Sequence, residues 1–192
     1  MKQLYNTDRI ILGIDPGTNI MGYGIIHISG NNARLVKMDV ITLKKEPTHT
    51  LKLKSIFEQT TKVIEEFNPD EVALEAPFFG KNVQSMLKLG RAQGIAMAAA
   101  LYRNLPVFEY SPRKIKQSIT GKGTSSKEQV ALMLQRILTI NELPKLLDAT
   151  DALAVAMCHY FQNKVGGKMD EPKRYNSWET FVNNNPGKVS GL

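Results

Sequence analysis

Four carboxylates stand where the chain otherwise places apolar or small residues. Asp15 closes the run R-I-I-L-G-I-D from Arg9, and Glu75 closes E-V-A-L-E from Glu71. Asp148 and Asp151 lie three apart in L-L-D-A-T-D-A-L-A-V-A-M, a spacing that puts both on one face of a helix. Singly, each has an ordinary explanation: Asp15 before Pro16-Gly17 shapes a turn, Glu75 ends a strand at the surface, and Asp148 caps a helix or favours its positive end. Jointly those explanations fail, because four acids meeting at one partly buried spot repel one another unless a cation compensates. A ligand set made only of oxygens suits magnesium or manganese. His27, His49, His159 and Cys158 are too scattered to offer a zinc spacing. Two such ions about 3.5–4 Å apart clamp a phosphate, one activating water and the other stabilising the leaving oxygen. Phosphodiester hydrolysis needs that clamp, since its transition state adds negative charge to a group already anionic.

The elements that must bring these acids together follow from patterning. Arg9 to Asp15 is a near-continuous apolar run, the mark of a central strand buried on both faces. A turn at Pro16 to Asn19 leads to two further strands, Ile20 to Ile28 and Arg34 to Leu43, joined by a hairpin through Gly30-Asn31-Asn32. Leu51, Leu53, Ile56, Phe57, Val63, Ile64 and Phe67 recur at helical spacing, and Asn68-Pro69 closes that helix. Glu71 to Glu75 is a short buried strand, Gln84 to Tyr102 a helix rich in Ala, Gly and Met, and Pro106 to Tyr110 a fifth strand. Ser111 and Pro112 read as the N-cap and first position of a basic helix. A link through Gly121 and Gly123 precedes a helix from about Ser126 to Leu138, and the last helix runs from about Lys145 to Asn163. The class is α/β: a mixed five-stranded sheet, its first three strands antiparallel, with helices on both faces, which is the ribonuclease-H-like order. Parallel neighbours in that sheet would set Asp15 and Glu75 at one edge.

Composition narrows the partner. The 192 residues fit one α/β domain over residues 1–163 with a basic, polar tail over 164–192, expected to be mobile. One cysteine excludes an internal disulfide and reads as a buried, inert thiol. No signal-peptide pattern opens the chain, and its longest apolar stretch is too short for a bilayer, so a cytoplasmic location is expected. The formal charge of +7, from 25 basic and 18 acidic residues, suits a polyanionic partner. Its distribution says more: Arg113, Lys114, Lys116, Lys122 and Lys127 follow Ser111 with no acid between them, a one-sided cluster suited to phosphates. Phe78 and Phe79, in a loop between Pro77 and Gly80, are either core or exposed for stacking.

At this point the motifs become specific. I-L-G-I-D-P-G-T (Ile11 to Thr18) with G-Y-G (Gly22 to Gly24), L-E-A-P-F-F-G-K-N (Leu74 to Asn82), L-K-L-G-R-A-Q-G (Leu87 to Gly94), P-V-F-E-Y (Pro106 to Tyr110), I-K-Q (Ile115 to Gln117) and D-A-T-D-A-L-A (Asp148 to Ala154) occur in the order of the bacterial Holliday-junction resolvases of the RuvC family. The chain resembles that family over residues 9–163. The resemblance implies a homodimeric endonuclease that makes paired, symmetric nicks in four-way DNA junctions during recombination and repair. Its acids fall on Asp15, Glu75, Asp148 and Asp151, with two magnesium ions per subunit or manganese in their place. Its supporting lysines fall on Lys116 and Lys127 and its junction-probing aromatic on Phe78. Further DNA contacts are expected from Lys81, Asn82, Arg91, Arg113, Lys114 and Lys122, and handover from branch-migration proteins is implied by the family alone.

The chain departs from the family pattern twice. Ala76 stands where Gln is common, and Gln93 where many members carry Arg. A two-fold dimer would set one site at each of two opposed junction strands, and the small-residue helix from Gln84 to Tyr102 is the expected interface, through Ala92 and Ala96. Three other readings are weaker. An ATP-binding domain of the actin and sugar-kinase type shares Asp-x-Gly-Thr, but needs two domains and has no use for Asp148 and Asp151. A ribosomal-RNA processing nuclease shares the opening motif and lacks the Phe-x-Lys-Asn segment. A non-catalytic DNA-binding module would gain nothing from four acids that repel DNA.

Overall fold

The molecule is described here from a computed structural model over residues 8–77 and 82–165. Among the described residues ten elements follow the expected order: β1 (Arg9–Asp15), β2 (Ile20–Ser29), β3 (Asn32–Thr42), α1 (His49–Phe67), β4 (Glu71–Glu75), α2 (Val83–Tyr102), β5 (Val107–Tyr110), α3 (Pro112–Thr120), α4 (Lys127–Ile137) and α5 (Asp148–Val165). They build one sheet in the order β3-β2-β1-β4-β5. β1 pairs antiparallel with β2 and parallel with β4, and Ile14 lies opposite Leu74, so Asp15 and Glu75 leave the sheet side by side.

Alternation along the strands gives each face its own core. Ile11, Ile26, Ile28 and Ala73 face α3, α4 and α5, packing with Ile115, Ile119, Val130, Leu134 and the Leu153–Cys158 stretch. Leu12, Ile14, Met21, Ile25, Val72 and Leu74 face α1 and α2 and meet Ile56, Val63, Ile64, Ala92, Ala96 and Ala100. Cys158 is fully buried in the first core, as expected of an inert thiol. Among the described residues no helix is long and apolar enough to cross a membrane.

Local chemistry fixes the helix ends. Thr48 caps α1, and Asn68 closes it in the left-handed conformation. Ser111 caps α3 with Pro112 at its first turn, and Gly121 ends it at φ 77°. Ser126 and Gln129 form a reciprocal capping box on α4, which fixes the first residue of that helix, Lys127. The last helix begins at Asp148, three residues after the expected Lys145, residues 145–147 forming bends and a turn instead.

Three glycines let α5 lie on the sheet. A Cβ at Gly13 would stand 2.6 Å from the Ala156 nitrogen, one at Gly22 2.6 Å from the Asp148 carbonyl carbon, and one at Gly24 2.6 Å from the Leu153 Cα. With Ala152, Leu153 and Ala156 on the helix side, backbone meets backbone and the start of α5 is carried to the end of β1.

Candidate active site

Asp15, Glu75 and Asp151 line one pocket at the strand ends, together with Lys116, Lys127, Pro112, Ile115, Val130 and Ala154. Five elements deliver its charged groups: β1 and β4 supply Asp15 and Glu75, α3 Lys116, α4 Lys127, and α5 Asp151. Asp148, the first residue of α5, is not among the lining residues, but its charge bears on both Asp15 and Asp151. The positive end of the α5 dipole favours both aspartates in its first turn.

The electrostatics are those of crowded acids. Burial, then repulsion from Glu75 and Asp151, pushes the Asp15 carboxyl up to about 8. Burial, then Asp151, pushes Glu75 up to about 7. Asp151 is also raised by burial, against the opposing pull of Lys127. Lys127 donates to the Asp151 carboxylate, and although burial works against its charge, that bond and the surrounding acids hold its ammonium above the ordinary range.

The donor set fits a hard divalent cation: carboxylates only, no imidazole or thiol, and more negative charge than burial tolerates. The acids are not drawn together around one point. Among the described residues no three acidic, histidine or cysteine side chains are gathered closely enough to grip a single ion, and the Lys127 ammonium supplies part of the charge the acids require.

Beneath the acids lie two polar supports absent from the expectations. Gln93, on α2 and only 6% exposed, donates from its amide to the Glu75 carbonyl oxygen at 3.3 Å and to the Glu109 carboxylate. The sequence marked Gln93 only as a departure from the family's Arg, expected to bear on junction contacts and not on the acids. Its bond to Glu75 corrects that expectation, because its side chain turns inward beside the core alanines. The second support is a side-chain relay. The Tyr110 hydroxyl lies 2.7 Å from His159 Nδ1, His159 Nε2 lies 2.9 Å from Glu71, and Arg9 pairs with Glu71 at 3.3 Å. Glu71 and Tyr110 belong to β4 and β5, and Tyr110 lies opposite Glu75, so the relay ties together the strands that present it.

A family model described as crossover junction endodeoxyribonuclease RuvC matches residues 11–159. The chain belongs to the RuvC family. A crossover junction endodeoxyribonuclease RuvC of Cytophaga hutchinsonii is 60% identical over 182 residues, covering 95% of this chain and 88% of that protein. Its counterpart from Porphyromonas gingivalis is 57% identical over 185 residues, covering 95% and 97%. Among solved structures, T. thermophilus RuvC in complex with Holliday junction substrate superposes with a TM-score of 0.76 at 33% identity, covering 82% of this chain and 96% of that one. The ribonuclease-H-like sheet expected from the order of elements is thus the sheet of this family.

The structure brings Asp15, Glu75, Asp151, Lys116 and Lys127 together and leaves the other expected DNA contacts outside the pocket. Arg113, Lys114 and Lys122 are exposed around α3, and Arg91 is exposed on α2. The Asn82 side chain caps α2 by accepting from the Ser85 amide at 3.0 Å. Phe78, Phe79, Lys81 and residues 166–192 of the tail lie outside the described residues. One expectation is corrected: Ala92 and Ala96 face the protein's own core and are fully buried against it, so they form no outer face. The exposed side of α2 instead carries Val83, Leu87, Gly94, Ala98 and Leu101.

Proposed function

We propose that this protein resolves four-way DNA junctions, hydrolysing one phosphodiester in each of two opposed strands in a magnesium-dependent reaction, as a homodimer. The observation that carries the reading is the pocket in which Asp15, Glu75 and Asp151 face Lys116 and Lys127 at the end of a family-typical sheet. Asp15, Glu75, Asp148 and Asp151 are the residues that would hold magnesium, two ions per subunit, with manganese able to substitute. Divalent metal bound there supplies Lewis-acid charge at the phosphate and lowers the pKa of a bound water.

The chain's own groups do the rest. Lys116 and Lys127 neutralise the non-bridging oxygens of the phosphate, whose charge grows in the transition state. Lys127 is placed for this by the capping box and is held among the acids by its bond to Asp151. Pro112, Ile115, Val130 and Ala154 give the pocket an apolar wall that limits water around the reacting group. Arg113, Lys114 and Lys122 extend positive charge along the DNA, Phe78 stacks on a base near the junction centre, and Lys81, Asn82 and Arg91 complete the contacts. The unpartnered side of α2, centred on Leu87 and Gly94, joins the two subunits; Gly94→Glu then yields monomers by light scattering, whereas an unchanged dimer mass excludes this face. Handover from branch-migration proteins belongs to the same reading.

The test is cleavage of a synthetic four-way junction against a linear duplex of the same sequence, with magnesium or with EDTA. Paired symmetric nicks on the junction alone, abolished by EDTA and by Asp151→Asn while Asp151→Asn still binds, are expected. Equal cutting of the duplex, or wild-type rates in Asp151→Asn, overturns the reading.

A further inference from the structure

A second basic site lies beyond the acids, on the other side of the turn that follows β1. Thr18, Asn19, Glu46, Pro47, Thr48, His49, Lys52, Ser85 and Lys88 line an open cavity of about 370 Å³. It is built where the β1–β2 turn, the N-terminus of α1 and the first turns of α2 meet. Lys52 is held in place, donating from Nζ to the Asn19 side-chain oxygen at 2.7 Å, a neutral acceptor that leaves its charge unspent. Among the described residues neither Lys52, Lys88 nor the nearby Arg91 is in an ion pair, and Glu46, the one acid in the lining, pairs with none of them. His49 Nε2 is buried without a hydrogen-bond partner. Burial, then the charges of Arg91, Lys88 and Lys52, holds that imidazole below its ordinary pKa, in keeping with the basic lining.

We propose that this cavity seats a backbone phosphate of the bound DNA, separate from the phosphate that is cut. Lys52 and Lys88 provide the charge, the Thr18 and Ser85 hydroxyls provide donors, and the first amides of α1 point the positive end of a 19-residue helix at the same place. The inference rests on the nuclease reading and sharpens it. Leu89 and Gln93, further along α2, line the neighbouring cleft with Asp15, Pro16 and Glu75. At a helical rise of 1.5 Å per residue, the basic cavity therefore lies on the order of 10 Å from the acids. The seated phosphate is therefore a near neighbour of the one that is cut, on the same arm of the junction. A grip at that distance fixes which phosphate falls into the acid pocket without reading any base.

The test is binding of the full chain to a synthetic four-way junction in EDTA, which prevents cutting, over a range of salt. Lys52→Gln/Lys88→Gln is compared with Lys54→Gln/Lys62→Gln, which removes the same charge from exposed positions of α1; Lys54 is two residues, about 200°, around the helix from Lys52. Removing one lysine–phosphate pairing lowers the slope of log affinity against log salt by about 0.9. Both lysines serve one phosphate, so the first pair is expected to lower it by about 0.9 per subunit and the control by much less. Lys88→Gln alone, which leaves the Lys52–Asn19 bond intact, is expected to lower it by part of that amount. If the site pair and the control pair give equal slopes while wild type binds the junction, the phosphate site is refuted and the nuclease reading stands. If wild type fails to bind the junction, the nuclease reading falls and the site falls with it.

Discussion

Adding one methyl group to β2 should disable the site from beneath. Gly22 lies opposite Asp15 in the sheet and directly under the first residue of α5. The Cβ of Gly22→Ala would stand 2.6 Å from the Asp148 carbonyl carbon, against an ordinary carbon–carbon contact of about 3.5–4.0 Å. Strand β2 is locked between β1 and β3, so the start of α5 must retreat by about 1 Å, taking Asp148 and Asp151 with it. A misplacement of about 1 Å costs on the order of a hundredfold in rate, and overpacking of this kind costs about 1–3 kcal/mol of stability. The assay is single-turnover junction cleavage at saturating protein, with binding and thermal melting measured alongside. Gly30→Ala is the control. At φ 57° with nothing within 4 Å, it strains the β2–β3 turn without crowding anything, so it should lower the melting temperature and leave cutting intact. Gly22→Ala that cuts within about threefold of wild type would refute the claim that backbone contact sets the position of the α5 aspartates.

Three further outcomes follow from the same structure. Magnesium at about a hundred times its dissociation constant should stabilise the fold by about 2.7 kcal/mol, a melting shift of roughly 5–10 °C, and Asp15→Asn should lose most of that shift; an equal shift in both would place the ion elsewhere. Gln93→Leu removes the donor that holds the Glu75 carbonyl, so kcat should fall about tenfold with junction affinity unchanged, and a change in affinity alone would make Gln93 a binding residue instead. The hydrogen bond from His159, with Arg9 assisting, holds Glu71 below its ordinary value of 4.5, so it binds its proton less readily folded than unfolded. Its stabilisation is complete above the ordinary value and drains as pH falls through the lower folded one; Glu71→Gln should therefore cost about 2 kcal/mol near neutrality and progressively less in acid, and a gap that stays constant down to about pH 3 would contradict this account.

The acids were legible because each interrupts a pattern. Asp15 and Glu75 end apolar strands, and Asp148 and Asp151 share a helical face among alanines, so the sheet order alone brings the first two together. Capping chemistry was legible at α3, which Ser111 and Pro112 start as expected, whereas the box of Ser126 and Gln129 that fixes Lys127 came from the structure. What escaped was whatever depends on contacts distant in sequence. Gln93 reaches a carbonyl 18 residues away, and His159 reaches Glu71 across 88, and no local pattern marks either partner. The α2 alanines misled for a related reason. Small residues on a helix announce close packing but not against what, and here Ala92 and Ala96 admit the protein's own sheet and α1.

The same ambiguity resolves differently at Gly13, Gly22 and Gly24. By residue type alone they are weak points in two strands, since glycine in a strand interior costs stability and packs nothing. In the fold they form a shallow bed for α5, and every added Cβ would meet that helix's backbone. A site made of repelling carboxylates cannot rely on mutual attraction to assemble its parts. Its geometry has to be imposed by something indifferent to charge, and close backbone packing is such a constraint. The glycines of β1 and β2 thus belong to the proposed active site as much as the acids do, although none of them is placed to touch a reacting atom. Variants in the bed and variants in the acids should accordingly differ in kind, the former lowering cleavage together with stability and the latter lowering cleavage alone.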